Sequence, residues 1–185
     1  MVKPEISSGT VILAEPFMMD PNFRRAAILL CEHNDEGTFG LVMNKPLPMR
    51  VDNLIDDFPE FDAPVHFGGP VQTDTVHFIH CKGDLVDQSR HIKSNLYYGG
   101  DYQQLKALIA RELIQPNDIR FFVGYSGWTE GQLEDEMRYN SWVTAPMHGN
   151  YLFKSKPSTL WSQVMSNKGD VFSVIARMRD EPNFN

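Results

Sequence analysis

Alternating and continuous apolar runs predict a series of short strands in the first part of the chain. The segments GTVILAEP at 9–16, RRAAILLCEH at 24–33 and TFGLVMN at 38–44 have strand length and are rich in aliphatic side chains. The four residues from Asn34 to Gly37 separate the second run from the third and are typical of a hairpin turn. Further strands are predicted at residues 63–71, 73–81, 95–100, 119–128, 141–146 and 150–155.

Helical spacing is confined to a few segments. VDNLIDDF at 51–58 is a short candidate, and Asp101 can cap a helix whose apolar residues, Leu105, Leu108, Ile109 and Leu113, recur at helical intervals. Thr129 and Gln132 have capping-box spacing, which predicts that a helix opens at Thr129. Two last helices are predicted at 158–167 and 170–178. Because strands and helices mix without regular alternation, the pattern favours an α+β fold with a mixed or antiparallel sheet.

The composition indicates one globular domain over residues 1–185. Hydrophobic residues make up 42% of the chain, with 12 Phe, 6 Tyr and 3 Trp, which suffices for a core. The formal net charge of −7 makes direct nucleic-acid binding unlikely. No apolar run reaches membrane-spanning length, so a cytoplasmic location without membrane contact is expected.

Single cysteines and scattered histidines predict no metal site and no other cofactor. Cys31 and Cys81 are isolated in apolar runs, where buried free thiols are expected. His77 and His80 are three residues apart on a predicted strand, so their side chains point to opposite faces. They are therefore not expected to bind one ion.

The stretch GYSGW at 124–128 resembles a serine hydrolase's nucleophile elbow, but the second glycine comes one position early and Trp128 stands in its place. We therefore predict that Ser126 belongs to a tight turn. Gly68 and Gly69 are interpreted as turn glycines rather than a phosphate cradle. Asn44 is expected to bond the backbone of a turn.

Several motifs together resemble the YqgE/AlgH family of bacterial proteins. They are EHNDEGTFGLVMNKP at 32–46, GGPV at 68–71 and GYSGWTEGQLEDE at 124–136, and the resemblance extends from about Gly9 to the C-terminus. It implies a mixed, mostly antiparallel sheet partly closed into a barrel with helices outside, and a loosely ordered segment at 1–8. Carried over by motif position, with Ser126 added, the candidate functional cluster is His33, Asn44, Gly68, Gly69, Ser126, Trp128, Gln132, Glu134 and Glu136.

Three functional hypotheses follow. The favoured one is a non-enzymatic regulatory protein that binds a protein or small-molecule partner, because no complete catalytic constellation is visible. The second is a hydrolase or phosphate-ester enzyme with a site near His33, Asn44, Ser126 and Glu136. The third is the transcriptional regulator that the label of some family members implies, which the net charge and the absence of a helix-turn-helix pattern disfavour.

Overall fold

The computed structural model describes residues 5–178. Within them lie ten strands, six helices and one 3-10 turn at Pro116–Asp118. The strands are β1 Thr10–Ala14, β2 Ala27–Asn34, β3 Gly37–Val42, β4 Pro46–Arg50, β5 Pro64–Phe67, β6 Val71–His80, β7 Arg90–Lys93, β8 Leu96–Tyr98, β9 Ile119–Thr129 and β10 Trp142–Pro146. The helices are α1 Val51–Leu54, α2 Tyr102–Ala110, α3 Gln132–Arg138, α4 Gly149–Phe153, α5 Pro157–Ser166 and α6 Asp170–Ala176.

The strands form one mixed sheet in which β9 is shared by two parts. Hydrogen-bonded neighbours follow the order β10-β1-β2-β3-β9-β6-β8-β7. Outside this order, β5 pairs with β9, and β4 pairs with β5. The β5–β9 pair is parallel and the other pairs are antiparallel. The expected partial barrel is not found: β10 and β7, the ends of this order, do not pair within the described residues. The single mixed α+β domain agrees with the expectation.

Strand β9 changes partners along its length. Its first half pairs with β5 and β6, and its second half pairs with β3 through Gly40 opposite Ser126 and Thr38 opposite Trp128. Gly124 lies between the two halves with φ +67°, a conformation that favours glycine. The predicted tight turn around Ser126 is therefore wrong, since the segment continues as strand through the kink at Gly124.

Three apolar clusters hold the layers together. The largest joins side chains of β1, β2, β3 and β6 to α4 and α5, and Trp161 of α5 also donates its indole N–H to the Ala14 carbonyl at 2.9 Å. The second packs α1 and α2 on the β5–β9–β6 part, and the third packs α3 on the β1–β2–β3 part. Both faces of the sheet are thus covered, which explains the long apolar runs in β1 and β2.

One predicted strand and one predicted helix start need correction. Residues 150–153 of the strand predicted at 150–155 are helical and belong to α4, because short apolar runs do not distinguish buried helix from buried strand and α4 buries the adjacent Tyr151 and Leu152. The helix predicted to open at Thr129 begins at Gln132, with Gly131 as its N-cap at φ +72°. By contrast, the predicted cap at Asp101 is confirmed by its side chain accepting from the Gln104 N–H.

The ends of the chain are described only in part. Residues 1–4 and 179–185 lie outside the described residues, so the expected loose order of 1–8 stays a prediction for residues 1–4. Ser8 lies within the described part and donates its hydroxyl to the Cys31 carbonyl at 2.7 Å. This contact ties the segment before β1 to β2.

Candidate functional site

An open groove of about 610 Å³ lies where the β2–β3 hairpin meets the end of β9. Its lining combines Val71 and aromatic rings with two carboxylates. No lysine, arginine or histidine lines it. The lining residues used below are Glu32, Glu36, Phe39, Tyr125 and Trp128. We refer to this site as the aromatic groove.

Four rings form a continuous aromatic surface beside this groove. Phe39 lies at its centre, with ring centroids 4.9 Å from Tyr125, 5.2 Å from Tyr98 and 5.4 Å from His77. The rings come from strands β3, β9, β8 and β6, and all four are half-buried. His77 Nδ1 lies 2.9 Å from the Tyr98 hydroxyl, so the rings are held in place by a hydrogen bond as well as by packing.

A glycine lies in the lining of the groove. Phe39 of β3 is opposite Gly127 of β9, and Gly127 is exposed. Across from an aromatic residue, a glycine has no side chain to cover the ring. A Cβ at Gly127 would stand 3.1 Å from Tyr125 Cε2, so the glycine leaves room for the Tyr125 ring of the groove.

The predicted residue His33 lies beside the aromatic groove in a second, acidic depression of about 510 Å³. Its Nε2 is 3.5 Å from Glu134 Oε1, which makes an ion pair when the imidazole is protonated. Its Nδ1 is 2.7 Å from the Thr38 hydroxyl, and the tautomer decides which of the two atoms donates. Thr38 is 7% exposed, so this hydroxyl is buried beneath the imidazole.

Carboxylates dominate the surface around both depressions. Arg138 pairs with Asp135 at 2.5 Å, and Arg90 pairs with Glu32 at 2.7 Å. The acids outnumber these two bases. The six carboxylates that line the aromatic groove and the acidic depression are Glu32, Asp35, Glu36, Glu130, Glu134 and Asp135. We call this surface the acidic face.

The structure does bring together the predicted residues Glu136, Trp128 and Gln132. Their polar groups bond to one another and to neighbouring residues of the protein. Glu136 accepts from the Trp128 indole at 2.9 Å, from the Trp142 indole at 2.7 Å and from the Gln132 amide at 2.9 Å. Gln132 in turn accepts from the Thr129 backbone N–H at 3.0 Å. Three donors occupy the carboxylate, so it holds α3 against β9 and β10.

Asn44 and Ser126 lie apart from these three residues and are bonded to the backbone. The Asn44 amide accepts from Ala27 N–H and donates to the Arg25 carbonyl, both at 2.9 Å, so it bonds to the backbone at the start of β2 and not to its own turn as expected. Ser126 is fully buried, and its hydroxyl donates to the Gly68 carbonyl at 3.1 Å. A buried hydroxyl bonded in this way is not presented to a substrate.

Gly68 and Gly69 lie against β9 rather than against a ligand cavity. A Cβ on Gly69 would stand 2.1 Å from the Tyr125 carbonyl carbon, and one on Gly68 would stand 2.3 Å from the Gly124 oxygen. The Gly68 N–H donates to the Val123 carbonyl at 2.8 Å. These glycines therefore permit a close crossing of two backbones.

The remaining histidines and cysteines are placed separately. Burial lowers the pKa of His77 and of His80, and His80 Nε2 lies 2.9 Å from the Gly99 carbonyl oxygen. Cys31 and Cys81 are free, and burial raises the pKa of both thiols. In the part of the chain that is described, no group of three or more His, Cys, Asp or Glu side chains is arranged to hold a metal ion.

Sequence reasoning missed much of the aromatic groove. No sequence signal singles out Phe39, Tyr125 and the carboxylates Glu32 and Glu36 of the groove, or the neighbouring ring of Tyr98. The available signal was the alternation in β3, where Phe39 is placed on the opposite face from Thr38. That alternation shows which residues share a face, but not that Tyr98 of β8 is their neighbour.

The domain has the fold of solved proteins with related sequences. A protein from Corynebacterium diphtheriae is 24% identical with a TM-score of 0.80, and the match covers 96% of this chain and 95% of that one. The solution structure of the AlgH protein from Pseudomonas aeruginosa is 30% identical with a TM-score of 0.75, covering 97% of each chain. Both span the chain, so they share the whole domain.

Sequence relatives cover the chain equally fully. A protein named UPF0301 from Chlorobaculum parvum is 40% identical over 180 residues, which is 97% of this chain and 96% of the relative. A UPF0301 protein from Cytophaga hutchinsonii is 35% identical over 182 residues, covering 97% of this chain and all of the relative. These relatives are bacterial proteins whose names state no activity.

The AlgH-like family model matches residues 11–173. The chain therefore belongs to the AlgH-like family, as its motifs predicted. The match includes the hairpin, the crossing at Gly68 and Gly69, and the whole of β9. Among the helices of residues 5–178, none combines the length and apolarity needed to cross a bilayer.

Proposed function

We propose that this protein is a non-enzymatic regulatory protein of the cytoplasm that binds a partner at the aromatic groove. The partner segment that fits is positively charged and carries an apolar or aromatic side chain. The observation that carries the proposal is the groove itself, about 610 Å³ with aromatic walls, two carboxylates and no basic side chain. Its volume lies within the range of ordinary ligand sites.

The charge of the surroundings supports a cationic partner. The acidic face carries six carboxylates, and its two neighbouring bases, Arg90 and Arg138, are already paired. Such a surface attracts a lysine- or arginine-containing segment and repels phosphates. Aromatic faces bind cations as well, so Phe39 and Tyr125 would add to the attraction.

The second candidate function is the hydrolase or phosphate-ester enzyme. The observation in its favour is the hydroxyl, imidazole and carboxylate series of Thr38, His33 and Glu134. Against it, Thr38 is buried, and the proposed members Ser126 and Glu136 are occupied by internal hydrogen bonds. A phosphate ester would also meet the acidic face unfavourably.

The test is a calorimetric titration with two peptides of equal length. One alternates lysine with tryptophan, and the other alternates glutamate with tryptophan. We expect the lysine peptide to bind with an affinity that falls as salt is raised. Glu36→Lys should weaken that binding by about three- to tenfold, because it reverses a charge at the groove. Asp56→Lys makes the same charge change at an exposed position just after α1, outside the lining of the groove, and is the matched control.

Two results would contradict the binding proposal. One is equal affinity for the two peptides, and the other is an equal loss from Glu36→Lys and Asp56→Lys. Hydrolytic assays on the same preparations address the second candidate. A turnover that His33→Ala removes while the fold is retained would favour the enzyme.

A further inference from the structure

A small cavity of about 190 Å³ lies between the β5–β9 pair and the segment that joins α4 to α5. Two nitrogen-bearing side chains, His66 of β5 and Arg120 of β9, line it. Apolar and proline residues, Ser155 and Tyr151 make up the rest of the lining, and no carboxylate is among them. The cavity is separate from the aromatic groove and shares no lining residue with it.

Arg120 lacks the acidic partner that a guanidinium inside a protein ordinarily has. Its Nη2 donates to the Leu152 carbonyl at 2.7 Å, but its Nε is buried and has no hydrogen-bond partner. No carboxylate of residues 5–178 forms an ion pair with it. Burial lowers its pKa, which is the sign of an uncompensated positive charge. Such a charge is costly unless something neutralises it.

His66 also has a buried nitrogen without a hydrogen-bond partner, although its ring is uncharged. The side chain is 1% exposed, and its Nδ1 has no hydrogen-bond partner of good geometry. Burial and the nearby charge of Arg120 lower its pKa to about 4, although the Pro64 carbonyl opposes this shift. The ring is therefore neutral near pH 7 and has donor and acceptor capacity available.

The start of α5 adds a third favourable element. Pro157 is the first helical residue and lines the cavity, and the N-cap residue Lys156 makes no side-chain capping bond. Pro157 has no N–H and the Thr159 N–H donates to the Lys156 carbonyl at 3.1 Å, so the Ser158 N–H is the first-turn donor left without a capping acceptor in this ten-residue helix. The positive end of a helix dipole favours an anion there.

We propose that this cavity binds a small oxyanion, which Arg120 and His66 hold as donors beside the start of α5. One anion would satisfy two buried nitrogens that no residue of the described chain satisfies, and it would neutralise Arg120. The size of the cavity selects the ligand class, since 190 Å³ is below the range of drug-sized ligands. Inorganic phosphate, or the phosphoryl or carboxylate end of a small metabolite, is of suitable size.

The test uses the whole purified chain in an amine buffer at constant ionic strength. Inorganic phosphate and acetate are each titrated against chloride, and melting temperature and heat of binding are recorded. A saturable rise in melting temperature with phosphate alone indicates that the ligand is a tetrahedral anion. The same rise with acetate alone indicates that it is a carboxylate. Arg120→Gln should reduce the affinity at least tenfold. Arg138→Gln removes an exposed, already paired arginine and should leave it unchanged.

Nuclear magnetic resonance of the unaltered protein keeps the proposal testable if Arg120→Gln does not fold. The bound anion should raise the pKa of His66 and shift the resonances of its imidazole before those of the exposed His91. The proposal is overturned if neither anion gives a saturable effect. It is also overturned if the resonance shifts come from residues outside the cavity, or if the Arg120→Gln and Arg138→Gln variants bind the anion with the same affinity.

Discussion

The two halves of the GYSGWTEGQLEDE motif do opposite things. Gly124 and Ser126 lie inside the molecule, where Ser126 bonds to Gly68 and Gly124 lies against the Gly69 backbone, while the Tyr125 ring between them reaches the aromatic groove. From Gly127 onward it borders the aromatic groove and the acidic face, although Glu136 turns inward to two indoles. A recognisable motif is therefore not one site. The glycine and serine of its first half are explained by packing, and open space is bordered by Tyr125 and by its second half.

The crossing of β9 gives the largest expected effect. Gly124 and Gly131 have nearly the same φ, +67° and +72°, but a Cβ at Gly124 would be 2.3 Å from the Gly69 oxygen while one at Gly131 meets nothing within 4 Å. Gly124→Ala should therefore destabilise the fold by more than about 4 kcal/mol. Gly131→Ala should cost about 1 kcal/mol from its left-handed backbone alone. Urea unfolding of both variants measures the difference, and similar losses would refute the crowding argument.

Glu136 and Glu134 provide the next contrast. Glu136→Ala leaves two indole N–H groups without their acceptor and should lower stability by about 2 to 4 kcal/mol. For a chain of this size that is roughly 5 to 15 °C in melting temperature. Glu134→Ala loses only the 3.5 Å contact with His33 and should cost less than about 1 kcal/mol. Equal melting temperatures for the Glu136→Ala and Glu134→Ala variants would contradict the assignment of Glu136 to the interior and Glu134 to the surface.

The buried imidazole of His66 predicts a dependence of stability on pH. Its folded pKa of about 4 is below the ordinary value of 6.5, so the unfolded chain binds a proton first as pH falls. The stability from neutral His66 is fully present above pH 6.5 and is lost as pH falls toward 4, by up to roughly 3 kcal/mol.

Subtraction isolates this effect, because the pKa values of His77 and His80 are also lowered. The free energy of unfolding of the unaltered protein, minus that of His66→Gln, should fall between pH 6.5 and 4 in a buffer without phosphate or carboxylate. His91→Gln, at an exposed position, is the control. Parallel curves for the unaltered protein and His66→Gln would contradict the prediction.

Ser126→Ala is expected to have the smallest effect. It removes one hydrogen bond of 3.1 Å to a carbonyl that also accepts from the Val42 N–H, so the Gly68 oxygen keeps a partner. The cost should be about 1 kcal/mol in thermal or urea unfolding. A folded Ser126→Ala protein that has lost a demonstrated turnover would show that the structural interpretation of this serine is wrong.

Local patterns predicted elements better than they predicted the site. The hairpin at Asn34–Gly37 and the cap at Asp101 follow from neighbouring residues, and the structure contains both. The GYSG segment reads as a turn from sequence because the close contact of Gly124 with Gly68 and Gly69, more than fifty residues earlier, leaves no local signal. No local signal distinguishes a turn glycine from one that lets two backbones cross.

The cavity of His66 and Arg120 was beyond sequence reasoning for a similar reason. His66 is opposite Phe122 in the parallel β5–β9 pair, which brings β5 beside the strand that carries Arg120. That register depends on the assembled sheet. Neither an isolated histidine nor an isolated arginine in an apolar strand indicates that the two will share an interior space without a carboxylate.

The position of β9 in the chain has a consequence for synthesis. Its partners β3, β5 and β6 all precede it, and Gly40 pairs with Ser126, 86 residues later. A ribosome therefore releases three strands with unpaired edges before the strand that joins them has emerged. Such edges invite association between nascent chains, and pairing over this distance is slow. We expect chains that end before Thr129 to aggregate, and folding of the complete chain to depend on the late arrival of one strand.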